Sequence, residues 1–234
     1  MTRSENGRPP AAVLFDVDGT LVDTVYLHTV AWWEALRQHG HRVTMARIHR
    51  SIGMGSDHLL DALLGEDRDR SGDDALSAAH LALYAPYWPR LARLPGSAEL
   101  VRACAGRGWR VVLASSASGR EAEVMTRVLD ADEAIFAMTT SEDVSASKPS
   151  PDLVEQALER AGVPPHRAVF VGDAVWDAQA AAKAGVRCLA LLTGGFAPQE
   201  LRAAGAEAVH ESPADLLDRL DRSALASPDA LPSP

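Results

Sequence analysis

Short apolar runs alternate with longer segments of helical periodicity along most of the chain. Runs of strand length occur at residues 12–15, 110–114, 134–138, 168–171 and 186–192, and residues 208–209 are a candidate last edge strand. Segments of helical spacing follow them at residues 98–105, 121–129, 151–161, 177–184, 198–204 and 213–220. Alternating strands and helices of these lengths predict an α/β fold, with a Rossmann-like, mostly parallel sheet core and helices on both faces.

The region after the first strand has a different pattern. Between residues 24 and 93 no strand pattern occurs. Helical spacing covers residues 23–40, 48–64 and 75–88, and the second of these segments is interrupted at Gly53 and Gly55. The pattern therefore predicts a small all-helical insert after strand one.

Composition narrows the class of partner. The chain is 47% hydrophobic and 24% charged, with a formal charge of −9 and a pI near 5.3, so neither nucleic acid nor an anionic membrane is expected as its main partner. The N-terminal residues lack the apolar core of a secretory signal and no apolar run reaches membrane-spanning length. We therefore expect a cytoplasmic protein in which Cys104 and Cys188 are reduced, structural thiols.

Candidate chemistry begins where the first strand ends. The sequence AAVLFDVDGT places Asp16 and Asp18 directly after the apolar run, followed by Thr20. Open α/β sheets bind their ligands at the carboxyl ends of the strands, and two crowded acids favour a hard divalent cation such as Mg²⁺ between them. A carboxylate beside such an ion can attack phosphorus and form an aspartyl-phosphate. The alternative is a strand followed by an ordinary acidic turn.

Two further segments carry polar groups at comparable positions. The second strand is followed by Ser115 and Ser116, and the Ser115 hydroxyl can donate to a phosphate oxygen or serve as a helix cap. Lys148 lies in a turn before a predicted helix and is one of only two lysines, with Lys183. An exposed lysine is usually a solvated charge, but this position favours a role in the site.

The fourth strand ends in a second pair of acids. Asp173 leaves the strand where Asp16 leaves the first, and Asp177 follows one helical turn later on the same face. Acids at this spacing can give one direct and one water-mediated contact to a shared Mg²⁺, although Asp177 can also be a plain N-terminal helix acid. Two acid pairs, a hydroxyl and a lysine at successive strand ends together indicate one site.

These segments resemble, in this order, the DxDGT, Ser/Thr, Lys and GDxxxD motifs of the haloacid dehalogenase superfamily of phosphohydrolases, in particular its phosphoglycolate phosphatase and β-phosphoglucomutase types. The resemblance covers residues 11–221 and implies that the helical insert is a cap domain. It implies an α/β core at 11–22 and 94–221, a cap at 23–93 and flexible tails at 1–10 and 222–234. The chain departs from the family pattern at Ala174 and Trp176.

The resemblance also implies roles for single residues. Asp16 is the expected nucleophile, and Asp18 is expected to protonate the leaving oxygen and then activate water. Mg²⁺ is the expected cofactor, held by the Asp16 and Asp173 carboxylates and the Asp18 backbone carbonyl, while Asp177 orients a bound water or Lys148. Four catalytic residues are predicted: Asp16, Asp18, Lys148 and Ser115. The predicted substrate-binding residues are Ser115, Ser116, Lys148, Thr20 and His28, and the predicted metal residues are Asp16, Asp18, Asp173 and Asp177.

Among the reactions of this family, the residues favour a phosphatase. Asp18 argues against a dehalogenase, and the absence of a lysine between residues 23 and 93 argues against a phosphonatase. A sugar phosphomutase remains the alternative, because His28 and Trp32 resemble mutase positions, but Ser56 stands where a mutase has a cap arginine. A non-catalytic phosphometabolite-binding protein is the other alternative.

The expected substrate is a small phosphorylated metabolite of the phosphoglycolate, sugar phosphate or polyol phosphate type. The phosphate is recognised by the core in this family, so the cap is expected to recognise the leaving group. The candidates for that recognition are His28, Arg47, Arg50, Met54 and His58. Both a monomer and a dimer are compatible with the sequence.

Overall fold

The centre of the fold is a sheet of six parallel strands. The computed structural model describes residues 9–144 and 146–231. The strands are arranged in the order β3-β2-β1-β4-β5-β6. Their bounds are β1 Ala12–Phe15, β2 Arg110–Ala114, β3 Ala137–Thr139, β4 Ala168–Gly172, β5 Arg187–Leu191 and β6 Ala206–His210. The α/β, Rossmann-like fold predicted from the sequence is confirmed.

Ten α-helices connect or follow these strands in the described residues. Four lie between β1 and β2: α1 Val25–Gln38, α2 Met45–Ser51, α3 Ser56–Leu64 and α4 Asp73–Tyr84. The remaining six are α5 Ser97–Gly106, α6 Gly119–Leu129, α7 Asp152–Ala161, α8 Val175–Lys183, α9 Pro198–Ala204 and α10 Pro213–Asp218. A short 3-10 helix, Ala85–Arg90, extends α4 where Pro86 and Pro89 prevent further α-helix.

Strand β1 lies in the middle of the sheet and is buried on both faces. Ala12 and Leu14 pack in one hydrophobic cluster, while Val13 and Phe15 pack in the other on the opposite face. Phe15 is aligned with Leu113 of β2 and Val171 of β4. A strand covered on both sides has an apolar side chain at every position, which explains the continuous apolar run in the sequence.

The helices between β1 and β2 have a hydrophobic cluster of their own. Trp32 and Leu36 of α1 pack with Ile48 of α2 and with Leu59 and Leu60 of α3. No strand longer than an isolated bridge occurs among residues 24–93, all of which are described. The helical insert, meaning α1–α4 and the 3-10 helix after them, therefore has its own core; its boundaries as a separate domain, residues 23–93, stay a prediction.

The edge of the sheet and the C-terminal segment differ from the sequence-based predictions. Strand β3 covers residues 137–139 rather than 134–138, because Asp132–Ala134 form a 3-10 turn and the strand is a short edge of the sheet. The predicted flexible tail is wrong for its described part, residues 222–231. Leu225 and Leu231 are buried in the core, where the Leu225 carbonyl accepts a hydrogen bond from Trp109 Nε1 (3.2 Å) and the Leu231 carbonyl one from Arg167 Nη1 (3.0 Å).

Most of the predicted flexible N-terminal tail and the last residues of the C-terminal tail fall outside the described part of the chain. Residues 1–8 and 232–234 lie outside the described residues, whereas the carbonyls of Pro9 and Pro10 accept hydrogen bonds from Arg167. Within the described part of the chain, no helix has the combined length and apolar character needed to cross a lipid bilayer. The cytoplasmic location stays a prediction.

Candidate active site

The first acid, Asp16, is held by the end of β1. Its backbone amide donates to the Val171 carbonyl of β4 (2.9 Å), which continues the strand pairing by one residue. The chain then turns through Gly19, where φ is +76°. A Cβ at Gly19 would lie 2.3 Å from Asp173 Oδ2, so only glycine satisfies both the backbone conformation and the close approach to the second acid.

The second pair of acids is organised by the start of α8. Asp177 Oδ2 accepts hydrogen bonds from the backbone amides of Asp173 (3.1 Å) and Ala174 (3.0 Å). These bonds satisfy amides at a helix N-terminus, where a carboxylate is favoured. Asp177 therefore fixes the loop that carries Asp173. Gly194 also leaves room for the Asp173 carboxylate, since a Cβ at Gly194 would lie 2.3 Å from Asp173 Oδ2.

Lys148 joins the two acid pairs from the turn before α7. Its Nζ lies 2.5 Å from Asp16 Oδ1 and 2.8 Å from Asp177 Oδ1, and its side chain is 1% exposed. The Thr20 hydroxyl lies 2.7 Å from Asp173 Oδ1 and 3.1 Å from Asp16 Oδ2. One buried ammonium and one hydroxyl thus hold three carboxylates together.

The positive charge at this site is smaller than the negative charge. Burial raises the pKa of Asp16 to about 7, in spite of the opposing effect of Lys148. Burial, followed by the nearby charges of Asp16 and Asp177, raises the pKa of Asp173 well above its usual range. Burial disfavours the charged Lys148 ammonium, but its two carboxylate partners outweigh that effect and raise its pKa.

A divalent cation fits this arrangement of donors. Ligand oxygens of Asp16, Asp173 and Asp177 lie within 4.8 Å of one another, and all three side chains are buried. Oxygen donors of this kind suit Mg²⁺, and a cation would relieve the excess of negative charge. Asp177 is already engaged by Lys148 and two backbone amides, so Asp16 and Asp173 are the better candidates for direct ligands.

Asp18 faces a polar network that joins the core to the helical insert. Its Oδ1 accepts a hydrogen bond from the Thr24 hydroxyl (2.7 Å) and lies 3.1 Å from His28 Nε2. Burial would raise the pKa of Asp18, but these hydrogen bonds and the His28 charge lower it. The pKa of His28 is raised, because Asp18 and Glu121 outweigh burial. His28 Nδ1 is in turn 3.1 Å from His80 Nε2.

The two predicted serines have different surroundings. The Ser115 side chain is fully buried, and its Oγ accepts a hydrogen bond from the Ala117 backbone amide (3.1 Å). Ser116 lines the cavity described below, and its Oγ has no hydrogen-bond partner in the described structure. The structure therefore brings Asp16, Asp18 and Lys148 to one cavity together with Ser116 and His28, whereas Ser115 is not among the side chains that line it.

A cavity of about 320 Å³ lies between the carboxyl end of the sheet and the helical insert. Its floor includes Asp16, Asp18 and Lys148. Its remaining wall is formed by side chains of α1, α3, α4 and α6 and of the loops beside them: His28, Trp32, Ile52, Gly53, Met54, Gly55, Ser56, Leu59, Ser77, Ala78, His80, Leu81, Ser116, Ala117, Ser118, Glu121 and Ser141.

Of the insert residues proposed to recognise the leaving group, only His28 and Met54 line this cavity. Arg47 donates to the carbonyls of Ala62 (3.1 Å) and Leu63 (3.3 Å) at the end of α3. Arg50 forms an ion pair with Glu200, which joins the insert to the core. His58 lies beside Asp57. The two arginines are therefore structural in this arrangement.

The departures from the family pattern have a packing role. The Ala174 side chain is buried, and a Cβ at Gly53 would lie 3.0 Å from Ala174 Cβ and 3.3 Å from Trp176 Cδ1. The loop after β4 therefore packs against the helical insert at a glycine. The backbone amide of Ala174 still donates to Asp177, so the substitution leaves that part of the acid cluster intact.

Sequence reasoning missed His80 and Glu121. His80 stacks on Trp32, with ring centroids 4.2 Å apart, and Glu121 Oε1 lies 3.7 Å from His28 Nε2. A histidine within a helix and a glutamate in a first helical turn are common on surfaces, so neither residue carried a signal by itself. Only the approach of α4 and α6 to the same cavity distinguishes them.

Comparison with known protein families agrees with the motifs at the carboxyl ends of the strands. The model of the haloacid dehalogenase-like hydrolase family matches residues 10–185, and the chain belongs to that family. The predicted enzyme class, a phosphoric monoester hydrolase of this superfamily, is confirmed by the named phosphatases among its relatives.

Three similar proteins illustrate this relationship. N-acetylmuramic acid 6-phosphate phosphatase of Pseudomonas aeruginosa is 31% identical over 218 residues, covering 91% of this chain and 95% of that protein. Protein CbbY of Cereibacter sphaeroides is 30% identical over 221 residues, covering 88% of this chain and 93% of that protein. The crystal structure of a hydrolase from Pseudomonas syringae is 35% identical with a TM-score of 0.86, covering 92% of this chain and 99% of that one.

Proposed function

We propose that this protein is an Mg²⁺-dependent phosphatase that hydrolyses a small phosphorylated metabolite through an aspartyl-phosphate on Asp16. The observation that carries the proposal is the position of Lys148, whose Nζ bridges Asp16 and Asp177 in a buried cluster open to one cavity. Named phosphatases among the relatives, including phosphoglycolate phosphatase of Pseudomonas savastanoi, support it.

The proposed reaction has two displacements at phosphorus. An Asp16 carboxylate oxygen forms a bond to phosphorus as the bond to the leaving oxygen breaks. Asp18 supplies the proton that this oxygen takes up and receives it from the hydrogen-bonded His28, whose pKa is raised. Asp18 then accepts a proton from water, whose oxygen attacks phosphorus and releases Asp16 and orthophosphate. His28, 3.1 Å from Asp18 Oδ1, orients that carboxyl group.

The remaining groups are proposed to position the phosphoryl group and to neutralise its negative charge. Lys148 and Ser116, which line the cavity, are proposed to bind phosphoryl oxygens, and the Thr20 hydroxyl, which donates to both Asp16 and Asp173, is proposed to hold these two carboxylates in position. Bound Mg²⁺, held by Asp16, Asp173 and the Asp18 carbonyl, supplies the charge neutralisation on which phosphoryl transfer mainly depends. Ser115 is proposed to bind a phosphoryl oxygen, as the family pattern implies.

The helical insert is proposed to act as the cap over this site. It contributes His28, Trp32 and His80 to the cavity wall, so the leaving group meets the insert while the phosphate meets the core. A lidded cavity excludes bulk water and limits substrate size. This favours small metabolites over phosphoproteins.

A sugar phosphomutase is the second candidate, supported by the place of His28 and Trp32 in the cavity wall. A mutase must hold a second phosphate in its cap. The side chains that line the cavity include no arginine, and Lys148, their one lysine, lies at the floor beside Asp16, where the transferring phosphoryl group and not a second phosphate is proposed to bind. Hydrolysis is therefore the better supported reaction.

The test is a panel of phosphomonoesters, including p-nitrophenyl phosphate and β-glucose 1-phosphate, with released orthophosphate as the readout. We expect orthophosphate from at least one metabolite and from p-nitrophenyl phosphate. Conversion of β-glucose 1-phosphate to the 6-phosphate without release of orthophosphate would replace the phosphatase by the mutase. A protein that turns over nothing would be a binding protein instead.

Removal of the metal is expected to abolish turnover and to lower stability. With EDTA in place of Mg²⁺, p-nitrophenyl phosphate turnover should fall at least roughly a hundredfold, because the buried acids then repel the phosphate. At a Mg²⁺ concentration about 100 times the dissociation constant, the free energy of unfolding should rise by about 2.7 kcal/mol. Urea denaturation with Mg²⁺ and with EDTA measures this change; equal stability and activity in both would rule out a metal at the Asp16 cluster.

A further inference from the structure

Glu121 is a buried carboxyl group that the proposed reaction does not use. It lies in the first turn of α6, is 7% exposed and lines the cavity. Its Oε1 is buried and has no hydrogen-bond partner in the described residues, and the nearest cationic group is His28 Nε2 at 3.7 Å. An unpaired buried acceptor costs free energy, so its position beside the leaving-group side of the cavity indicates a ligand group that donates to it.

The charges that line the cavity disfavour an anionic leaving group. Asp18 at the floor and Glu121 in the wall contribute two acidic groups that share one basic contact, His28, and Lys148 is bound to two acids at the floor. Burial, followed by the charge of His28, lowers the pKa of His80 well below its usual range, so that ring is neutral. Arg47 and Arg50 are engaged elsewhere, with helix carbonyls and with Glu200.

The same wall offers a flat aromatic surface. Trp32 and His80 are stacked with an interplanar angle of 10°, and both line the cavity. Aromatic rings of this kind pack against the C–H groups of a carbon chain or sugar ring, while polar groups beside them form hydrogen bonds with its hydroxyl groups. Ser56 and Ser77 add hydroxyl groups to the wall of the same cavity.

We propose that Glu121 is a specificity-determining residue that accepts a hydrogen bond from a hydroxyl group of the leaving alcohol, and that the substrate is a monophosphate of an uncharged polyhydroxylated alcohol, a polyol or sugar. The inference rests on the proposed phosphatase function. Monoesters whose leaving group carries a carboxylate or a second phosphate are rejected, because that anion would be buried beside Glu121 and Asp18, whose two carboxylates outnumber the single His28 imidazole that contacts both.

The test uses pairs of substrates that differ only in this charge. 2-Hydroxyethyl phosphate and phosphoglycolate differ by CH₂OH against carboxylate, and so do glucitol 6-phosphate and 6-phosphogluconate. We expect kcat/KM for the better hydroxyl compound to exceed that of its carboxylate partner by roughly tenfold or more, the discrimination that a buried polar group provides. Released orthophosphate with Mg²⁺ is the readout, and p-nitrophenyl phosphate reports whether the enzyme turns over at all.

Glu121→Gln keeps the shape of the side chain and removes its charge. We expect the ratio of kcat/KM within each pair to fall by roughly fivefold or more, since an amide tolerates a carboxylate better than a carboxylate does. The matched control is Glu123→Gln, the same change at an exposed position of the same helix, which should leave the ratio unchanged. A merely structural role of Glu121 would lower both members of a pair equally and leave their ratio intact.

Each outcome decides one of the two claims. A wild-type preference for the carboxylate member, or an unchanged ratio in Glu121→Gln, would overturn this inference while turnover itself upheld the phosphatase. If Glu121→Gln does not fold, as thermal unfolding would reveal, Glu121→Met replaces it, because it also removes the charge and the acceptor, and loss of the hydroxyl compound's advantage is the expected result. No orthophosphate from any compound, p-nitrophenyl phosphate included, would overturn the proposed function and the inference with it.

Discussion

Replacing Asp16 by Asn is expected to lower kcat by roughly four orders of magnitude or more, while the protein stays folded. An amide oxygen cannot displace an alkoxide from phosphorus as a carboxylate does, whereas it can still accept a hydrogen bond from Lys148 while the amide nitrogen donates to the Thr20 hydroxyl. Turnover of p-nitrophenyl phosphate with Mg²⁺ is the measurement. The matched control, Asp23→Asn, changes an exposed acid seven residues further on and should retain full activity.

Stability provides a second readout for the same variant. Burial raises the folded-state pKa of Asp16 from 3.8 to about 7, so the folded protein binds more protons than the unfolded chain between these pH values. In EDTA, the free energy of unfolding of the wild type should therefore fall as the pH rises through this window. Asp16→Asn should fall less steeply, because this titrating group is gone. An active Asp16→Asn variant, or one with an unchanged pH slope, would contradict the assignment of Asp16 as a buried nucleophile.

The sheet could be predicted from sequence because buried parallel strands have a pattern that few other elements share. The strands that end in Asp16 and Asp173 are apolar at every position and stop at a carboxylate, so both the strand and its chemically important end were visible. Strands β1 and β4 are parallel neighbours in the sheet, so their carboxyl ends lie side by side. The approach of the two acids is then a consequence of the topology.

The edge of the sheet and the C-terminal segment were less predictable for physical reasons. Strand β3 has three residues and one neighbour, so its pattern is too short to fix its ends. In the C-terminal segment, Leu225 and Leu231 are isolated among Ser, Pro and Ala, a composition typical of disorder. Their burial depends on a groove formed by distant parts of the core, including Trp109, which local composition does not reveal.

The residues of the candidate site also differ in how far the sequence predicts them. Asp16, Asp18, Asp173 and Lys148 lie at strand ends or in turns, and Asp177 lies in the first turn of the helix after β4, so their convergence follows from the fold. His80 and Glu121 instead reach the cavity through the packing of α4 and α6. Helix packing angles depend on many side chains at once and have no short sequence pattern. The residues proposed to bind phosphate were therefore predictable, whereas His80 and Glu121 on the leaving-group side were not.

Lys148→Met is expected to cost both activity and stability. Met matches the length of the lysine side chain but leaves Asp16 and Asp177 without their shared ammonium group. Breaking a buried ion pair by removing one partner costs about 3 to 5 kcal/mol. We expect a loss of this size in EDTA and a smaller one in Mg²⁺, with kcat/KM reduced by roughly a thousandfold because the phosphoryl oxygens lose a cation.

The chain supplies its own control for this variant, since Lys183 is its only other lysine. Lys183 is exposed and donates to the Pro149 carbonyl (2.8 Å), so Lys183→Met should change stability by no more than about 0.5 kcal/mol. The double variant Lys148→Met with Asp177→Asn removes a charge of each sign and should recover part of the stability lost in EDTA. Such recovery identifies uncompensated buried charge, rather than lost packing, as the cause. If Lys148→Met is as stable as the wild type in EDTA, the excess of negative charge that makes this cluster a cation site does not exist.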